Sequence, residues 1–425
     1  MLVAFSLTNS ACFRDHHELS MEAVKGTTHR FAFDTGVRQA PRLNRVAAIF
    51  GPNGSGKSRF VEGLRFARRF VLNSSRESQA GDEIPYEPFL FKEESRESPT
   101  AFETTFVRDG TLYQYGFEVD AVRVHREWLL AWPPGGKMRR LLERLAHPDT
   151  GKEEYKFSQY VRGSKSVWRD NTRPNALLVS TAVQLNSDTF RPVVDWFREL
   201  RIIRSGGLHP NYTASVVDND QETKQRVLKL LRAADISAAD VEVDKEVIDI
   251  ADLKERLPPR LIEELPKHVP TTLERPRPKL VHRPGGSGAA HALDLERESD
   301  GTQRYFGFAG PWLDVLDNDR VVVVDELDRS LHPLLVSSLV QQFNKEADGD
   351  QCRAQLVITV HDVTLLQEAL DRGQVWLTEK DRETEAASLT PLSDYRPRKD
   401  EALMRGYLGG RYGGVPVTVR PEALG

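Results

Sequence analysis

The chain has 425 residues, 29% of them charged, a net charge of -4 and two cysteines, a length that suits roughly two or three domains. No apolar stretch approaches the roughly 18 residues of a membrane span, and Cys12 and Cys352 are too far apart for metal-ligand spacing or a disulfide framework, which fits a reducing cytoplasm. The near-neutral balance excludes a global nucleic-acid signal but not a local basic groove, because charge distribution matters more than its sum.

In chain order, MLVAFSL lacks the basic flank of a signal peptide and reads as an edge-like strand over Leu2–Thr8. Val46–Phe50 (VAAIF) reads as a short buried strand, and from Ser58 onward apolar residues recur at helical spacing. Between them GPNGSGKS fills the pattern G-x-x-x-x-G-K-[ST]. In that pattern the backbone of Gly51, Pro52, Asn53, Gly54, Ser55 and Gly56 cradles phosphates, Lys57 reaches the β and γ phosphates, and Ser58 ligates magnesium. A glycine turn that merely caps a helix is the plainer alternative; the strand-loop-helix context favours ATP. Alternating runs from Ala101 to Trp132 broken at Asp109-Gly110 predict hairpins, hence an antiparallel layer beside a parallel core.

From 150 to 285 the periodicity turns helical, at Thr189–Leu200 and Gln221–Ala234, before a stretch rich in proline and charge, Leu257–Arg283, and the run Gly285-Gly286-Ser287-Gly288. This reads as a helical insertion with a flexible return, without the heptads of a coiled-coil arm. Two basic segments, Lys137–Arg144 and Arg198–Arg204, read as solvated helix faces. Strands and helices alternate again from 290 to 395, implying a mostly parallel sheet with helical crossovers. The expected divisions are 1–149, 150–285, 286–394 and a loop-rich tail, 395–425, whose Tyr407–Pro416 (YLGGRYGGVP) is too rich in glycine for a regular element.

Within the second alternating region, Val321–Val324 is a β-branched run suited to a central strand buried on both faces. Acids at its end are therefore informative: Asp325 would hold magnesium, and Glu326 would orient and deprotonate an attacking water. At Ser299-Asp300-Gly301-Thr302, the Ser299 hydroxyl, the close approach allowed by Gly301 and the N–H groups of the next helix, Thr302 included, suit a γ-phosphate, or else form a capped turn. His332 is assigned to helix capping or local packing.

In this order the blocks resemble ABC and SMC-like ATPases, and the resemblance implies a P-loop α/β fold of that type, a mixed sheet core with an antiparallel β layer and a helical insertion. It also implies that Ser299–Thr302 is a divergent signature motif, that Leu327–Pro333 is a D-loop, that His361 is the switch histidine contacting the γ-phosphate, and that two copies sandwich two ATP molecules. Pro85–Phe91, DELDRSLHP, VITVHD and GRYGGVP are similar to the stand-alone ABC/AAA-like ATPases of abortive-infection loci, the RloA type. Those relatives carry Asn-Phe, a basic residue and Ser near the start, where this chain has Asn9-Ser10-Ala11-Cys12; Gln79 is a candidate for the Q-loop glutamine. The role implied is a cytoplasmic switch in anti-phage defence acting on a separate effector, such as a Toprim-type nuclease. The alternative is an SMC-like DNA-maintenance ATPase, for which a long coiled coil or a basic groove would be expected.

Overall fold

Asp109 and Gly110 both take left-handed backbone angles, φ 50° and 72°, and close a two-residue turn between Thr100–Arg108 and Thr111–Val119. Turns of this hand match the twist of the strands they join. The computed structural model describes residues 1–147, 150–204, 210–250, 271–284, 288–344, 352–398 and 401–416. The proline-rich stretch over 257–270, the glycine run at 285–287 and the tail after 416 lie outside the described residues. Two units are distinguished: Met1–Ser205 with Leu316–Asp328 and Val336–Gly425, and Gly206–Val315 with Arg329–Leu335.

The strands of the first unit that precede the second are β1 (Leu2–Thr8), β2 (His17–Ser20), β3 (Ala32–Asp34), β4 (Arg42–Asn44), β5 (Val46–Phe50), β6 (Thr100–Arg108), β7 (Thr111–Val119), β8 (Val124–Trp132), β9 (Arg139–Ala146), β10 (Glu153–Phe157) and β11 (Arg201–Ile203). The second unit holds β12 (Asp240–Asp249), β13 (Thr272–His282) and β14 (His291–Asp294). Back in the first unit come β15 (Val321–Val324), β16 (Gln355–Thr359), β17 (Val375–Lys380) and β18 (Ala387–Pro391). Helix α1 (Lys57–Asn73) follows the glycine loop.

An antiparallel sheet in the order β10-β9-β8-β7-β6-β1-β2 is the expected β layer. Its β1 is not an edge: it pairs with both β6 and β2, and six successive residues are buried because both faces are covered. A second sheet, β11-β15-β16-β5-β17-β18, is parallel as far as β17 and closes with antiparallel β18. Helix α1 packs by Phe60 on Phe5 (centroids 5.4 Å apart), by Phe66 on Phe102 (5.1 Å) and by Phe70 on Phe117 (5.5 Å). The buried Gln355 amide ties the two sheets together, accepting from Leu2 N–H at 2.6 Å and donating to Leu2 O at 2.9 Å.

The segment Lys137–Arg144 departs from its helical reading, because Arg139–Ala146 is strand β9 and Arg144 is fully buried. Its guanidinium donates to Ala176 O at 2.6 Å and lies 3.7 Å from Glu127. Glu127 accepts from the amides of Leu178 and Val179 at 2.7 and 2.9 Å at the start of helix Leu178–Gln184, and from the Tyr115 hydroxyl at 2.9 Å. A buried carboxylate placed there satisfies amides that a helix leaves without partners.

In the second unit Asp220 caps helix Gln221–Ala233, accepting from Thr223 N–H at 2.9 Å. The sheet runs β12-β13-β14. Residues 272–282, expected to belong to a flexible return, form β13 and pair along all of β12, with Glu242, Asp244 and Glu246 opposite Lys279, Arg277 and Arg275. Opposite charges facing each other across strands stabilise such a ribbon. Pro276 and Pro278 fit because β14 pairs only with residues 279–282, leaving them beside no ladder on that side.

Candidate functional site

Strand β5 delivers the chain into the glycine loop, and the loop feeds α1. At Gly51 an added Cβ would lie 2.3 Å from Thr378 Oγ1 and 2.5 Å from Thr378 O, so no larger residue fits beside β17. Gly56 has φ +111° and a Cβ there would come within 3.0 Å of Cys12 Sγ and of Ala387 Cβ, a conformation and an approach that suit glycine. Thr378 also holds the loop from the side: its hydroxyl lies 2.6 Å from Ser55 Oγ and donates to Phe50 O at 3.2 Å. The Lys57 ammonium is buried and donates to Gly51 O at 2.6 Å and Pro52 O at 3.0 Å. Burial pushes its pKa below the ordinary lysine value, while the negative charges of Asp328, Glu326 and Asp325 pull it back up.

Those carboxylates come from the next strand but one. Asp325, at the end of β15, is buried, and its Oδ1 accepts from Ser58 Oγ at 3.0 Å and from Thr359 Oγ1 at 2.6 Å. Glu326 follows with φ 52° and donates its N–H to Thr359 Oγ1 at 2.7 Å. A left-handed non-glycine residue costs roughly 1 kcal/mol and persists where its surroundings fix it. Asp328 Oδ2 accepts from the amides of His361 and Asp362 at 2.7 and 2.8 Å, so the segment after the acidic strand grips the turn that carries the exposed His361. Lys57, Ser58, Asp325, Glu326 and His361 thus converge on the ends of β5, β15 and β16.

The turn Ser299–Thr302 belongs to the second unit. Ser299 Oγ accepts from Thr302 N–H at 3.2 Å and lies 3.0 Å from Thr302 Oγ1, which makes it the N-cap of helix Asp300–Asp317. A Cβ on Gly301 would sit 3.0 Å from Ser330 O, so the chain after the acidic strand passes directly over this glycine. His332 caps helix Pro333–Phe343, its Nδ1 accepting from Leu334 N–H at 3.3 Å. Gln79 is exposed, and its carbonyl accepts from Asn175 at 2.7 Å.

The donor set fits magnesium held together with a nucleotide. Ser58 and Asp325 offer two hard oxygens side by side, and magnesium is commonly bound by one or two such groups plus substrate phosphates. Among the described residues no cluster of three or more His, Cys, Asp or Glu could hold a metal unaided. A cleft of about 830 Å³ opens beside this pair along α1, with Arg59, Glu62, Phe66 and Glu87 on its walls. Reading the sequence missed Thr359 and Thr378; the visible signal was one hydroxyl residue directly after the apolar run of each of two strands, LVI in QLVIT and VWL in VWLTEK.

The family model described as "AAA domain, putative AbiEii toxin, Type IV TA system" matches residues 46–367, from β5 and the P-loop past the acidic strand and His361. The chain belongs to this family. No curated protein matches this AAA-domain chain. Among solved structures it is similar to the SMC head domain from Thermotoga maritima, at 13% identity and a TM-score of 0.41 over 92% of this chain and 98% of that one. A Pyrococcus furiosus Smc head domain with an extended coiled coil, bound to the C-terminal domain of ScpA, gives 11% identity and 0.37, covering 92% and 95%. The recombination mediator protein RecF in its ATP-bound form gives 13% and 0.30, covering 85% and 92%. Among the described residues no helix is long and apolar enough to cross a membrane.

Proposed function

We propose that this AAA-domain protein is a magnesium-dependent ATPase that dimerises around ATP and uses that cycle to control a separate effector, such as a Toprim-type nuclease, in anti-phage defence. The observation that carries the ATPase reading is the meeting of Ser58 and Asp325 at 3.0 Å beside the buried Lys57, with Glu326 next in the chain. Phosphate oxygens of ATP replace the Gly51 and Pro52 carbonyls as acceptors for Lys57. Ser58 and Asp325 would hold magnesium, which would supply positive charge to the phosphates. Glu326 orients a water and takes its proton; His361, fixed through its backbone by Asp328, meets the γ-phosphate. The capped turn at Ser299 presents a helix N-terminus suited to the γ-phosphate held by a second copy. The defence setting is supported by the toxin-antitoxin wording of the family description and by the resemblance of DELDRSLHP and GRYGGVP to abortive-infection ATPases.

The test pairs biochemistry with cells. The purified chain hydrolyses ATP, leaves DNA and RNA intact, and loses phage protection in the Glu326→Gln form when the whole locus is present. ATP-dependent cleavage of nucleic acid by the lone chain, abolished by Asp325→Ala, overturns the effector assignment. Turnover stimulated by DNA with no effector present points instead to DNA maintenance.

A further inference from the structure

We infer that Thr359 is a positioning residue that sets the metal-holding carboxylate and the backbone of the water-activating glutamate through a single hydroxyl. This deepens the ATPase reading and rests on it. The hydroxyl has one proton, and the ionised Asp325 can only accept, so Thr359 donates to Asp325 Oδ1 at 2.6 Å and receives Glu326 N–H at 2.7 Å on its own lone pair. Asp325 N–H is meanwhile held by Ile203 O at 2.8 Å, and Leu327 N–H by Thr359 O at 3.1 Å. Thr359 therefore holds the two residues after Asp325 through the chain and Asp325 itself through its side chain.

The arrangement is stiff. Thr359 is fully buried, and a β-branched residue has few χ1 choices. Its neighbour on the same carboxylate oxygen, Ser58, donates from 3.0 Å and would also give a lone pair to magnesium, so its position would answer to the metal as well as to Asp325. The Thr359 bond, the shorter of the two on that oxygen, holds Asp325 in its rotamer from the metal-free side, and the same hydroxyl holds the Glu326 amide where φ is 52°. Groups that orient a metal ligand from behind typically account for 10–100-fold in metal affinity or activity.

Thr359→Val keeps the shape and removes the hydroxyl; Thr359→Ser keeps the hydroxyl. Binding of a fluorescent ATP analogue is titrated with and without magnesium, alongside steady-state turnover and thermal melting. Thr359→Val should raise the magnesium concentration needed for tight nucleotide binding about 10-fold and lower kcat about 10–100-fold, with metal-free nucleotide affinity unchanged. Thr359→Ser should stay within about threefold of the parent on both measures. The inference is overturned if Thr359→Val keeps the parent's magnesium requirement, if Thr359→Ser is as impaired as Thr359→Val, or if Thr359→Val also loses metal-free affinity and melts far lower. A parent protein that binds nucleotide with magnesium but never turns it over refutes hydrolysis, while the magnesium titration still decides the role of Thr359.

Discussion

Asp325 and Ser299 each head a short polar motif, yet their surroundings differ in kind. Asp325 is buried, and two hydroxyls converge on one of its oxygens. Ser299 is exposed, and its hydroxyl meets its own helix's first turn. The first arrangement is assembled from three strands and one helix of a single unit, so a change in any of them reaches the chemistry. The second is local: four consecutive residues make it, and it asks little of the rest of the fold. A motif of the first kind is complete within one chain, whereas a motif of the second kind presents a surface.

Substitutions test that contrast, and the largest effect belongs to the buried side. Glu326→Gln should bind ATP normally and lose about 10²–10⁴-fold in kcat, as removal of a general base does; single-turnover hydrolysis against calorimetric affinity checks this. Glu127→Ala, the same kind of buried carboxylate set among amides, should cost about 3–5 kcal/mol because two helix amides and the Tyr115 hydroxyl lose their acceptor while Arg144 keeps Glu153, measured by urea unfolding. Lys57→Ala should weaken ATP binding roughly 10–100-fold, the worth of a charge-assisted bond of about 1.5–3 kcal/mol, and calorimetry showing equal loss in Glu326→Gln would refute the division of roles. Ser299→Ala should cost only about 1 kcal/mol of stability, as the loss of a cap does, and leave nucleotide binding by the monomer untouched.

The smallest effect is electrostatic. Arg108 donates to both Glu199 oxygens, at 2.8 and 3.0 Å, and holds that carboxyl below the usual range. A lowered folded pKa stabilises above the unfolded value of about 4.3 and is lost as pH falls through the folded one. Melting temperature followed downward from about pH 5 should therefore fall less steeply in Arg108→Gln than in the parent.

Much of this was legible in the sequence where the signal is contiguous. GPNGSGKS and VVVVDE each carry their strand, turn and polar residues within a few positions, and the Asp109-Gly110 hairpin is closed by two adjacent residues. What could not be read depends on neighbours brought together by topology. Thr359 and Thr378 matter because β16 and β17 flank β5, and no spacing in the chain announces that. KMRRLLER reads as a helix face because paired leucines among charges suit either period; pairing with β8 and β10 makes it a strand. The prolines of ERPRPKL hid β13, since a proline argues against a strand unless the missing N–H falls where no partner needs it.

The order β16-β5-β17 also has a consequence for how the protein is made. The strand that carries the P-loop is synthesised about 300 residues before the flanking strands that complete its surroundings, Gln355–Thr359 and Val375–Lys380. Ser58 and Asp325 are 267 residues apart, and Ser55 and Thr378 are 323 apart. A ribosome that has delivered the glycine loop must add Gly206–Val315 of the second unit before the loop gains its carboxylates, and more again before Thr378 braces it. Contacts so distant in sequence form slowly. Nucleotide binding should consequently be silent throughout translation, so a nascent chain, or one cut short before β17, holds a phosphate loop that cannot yet act.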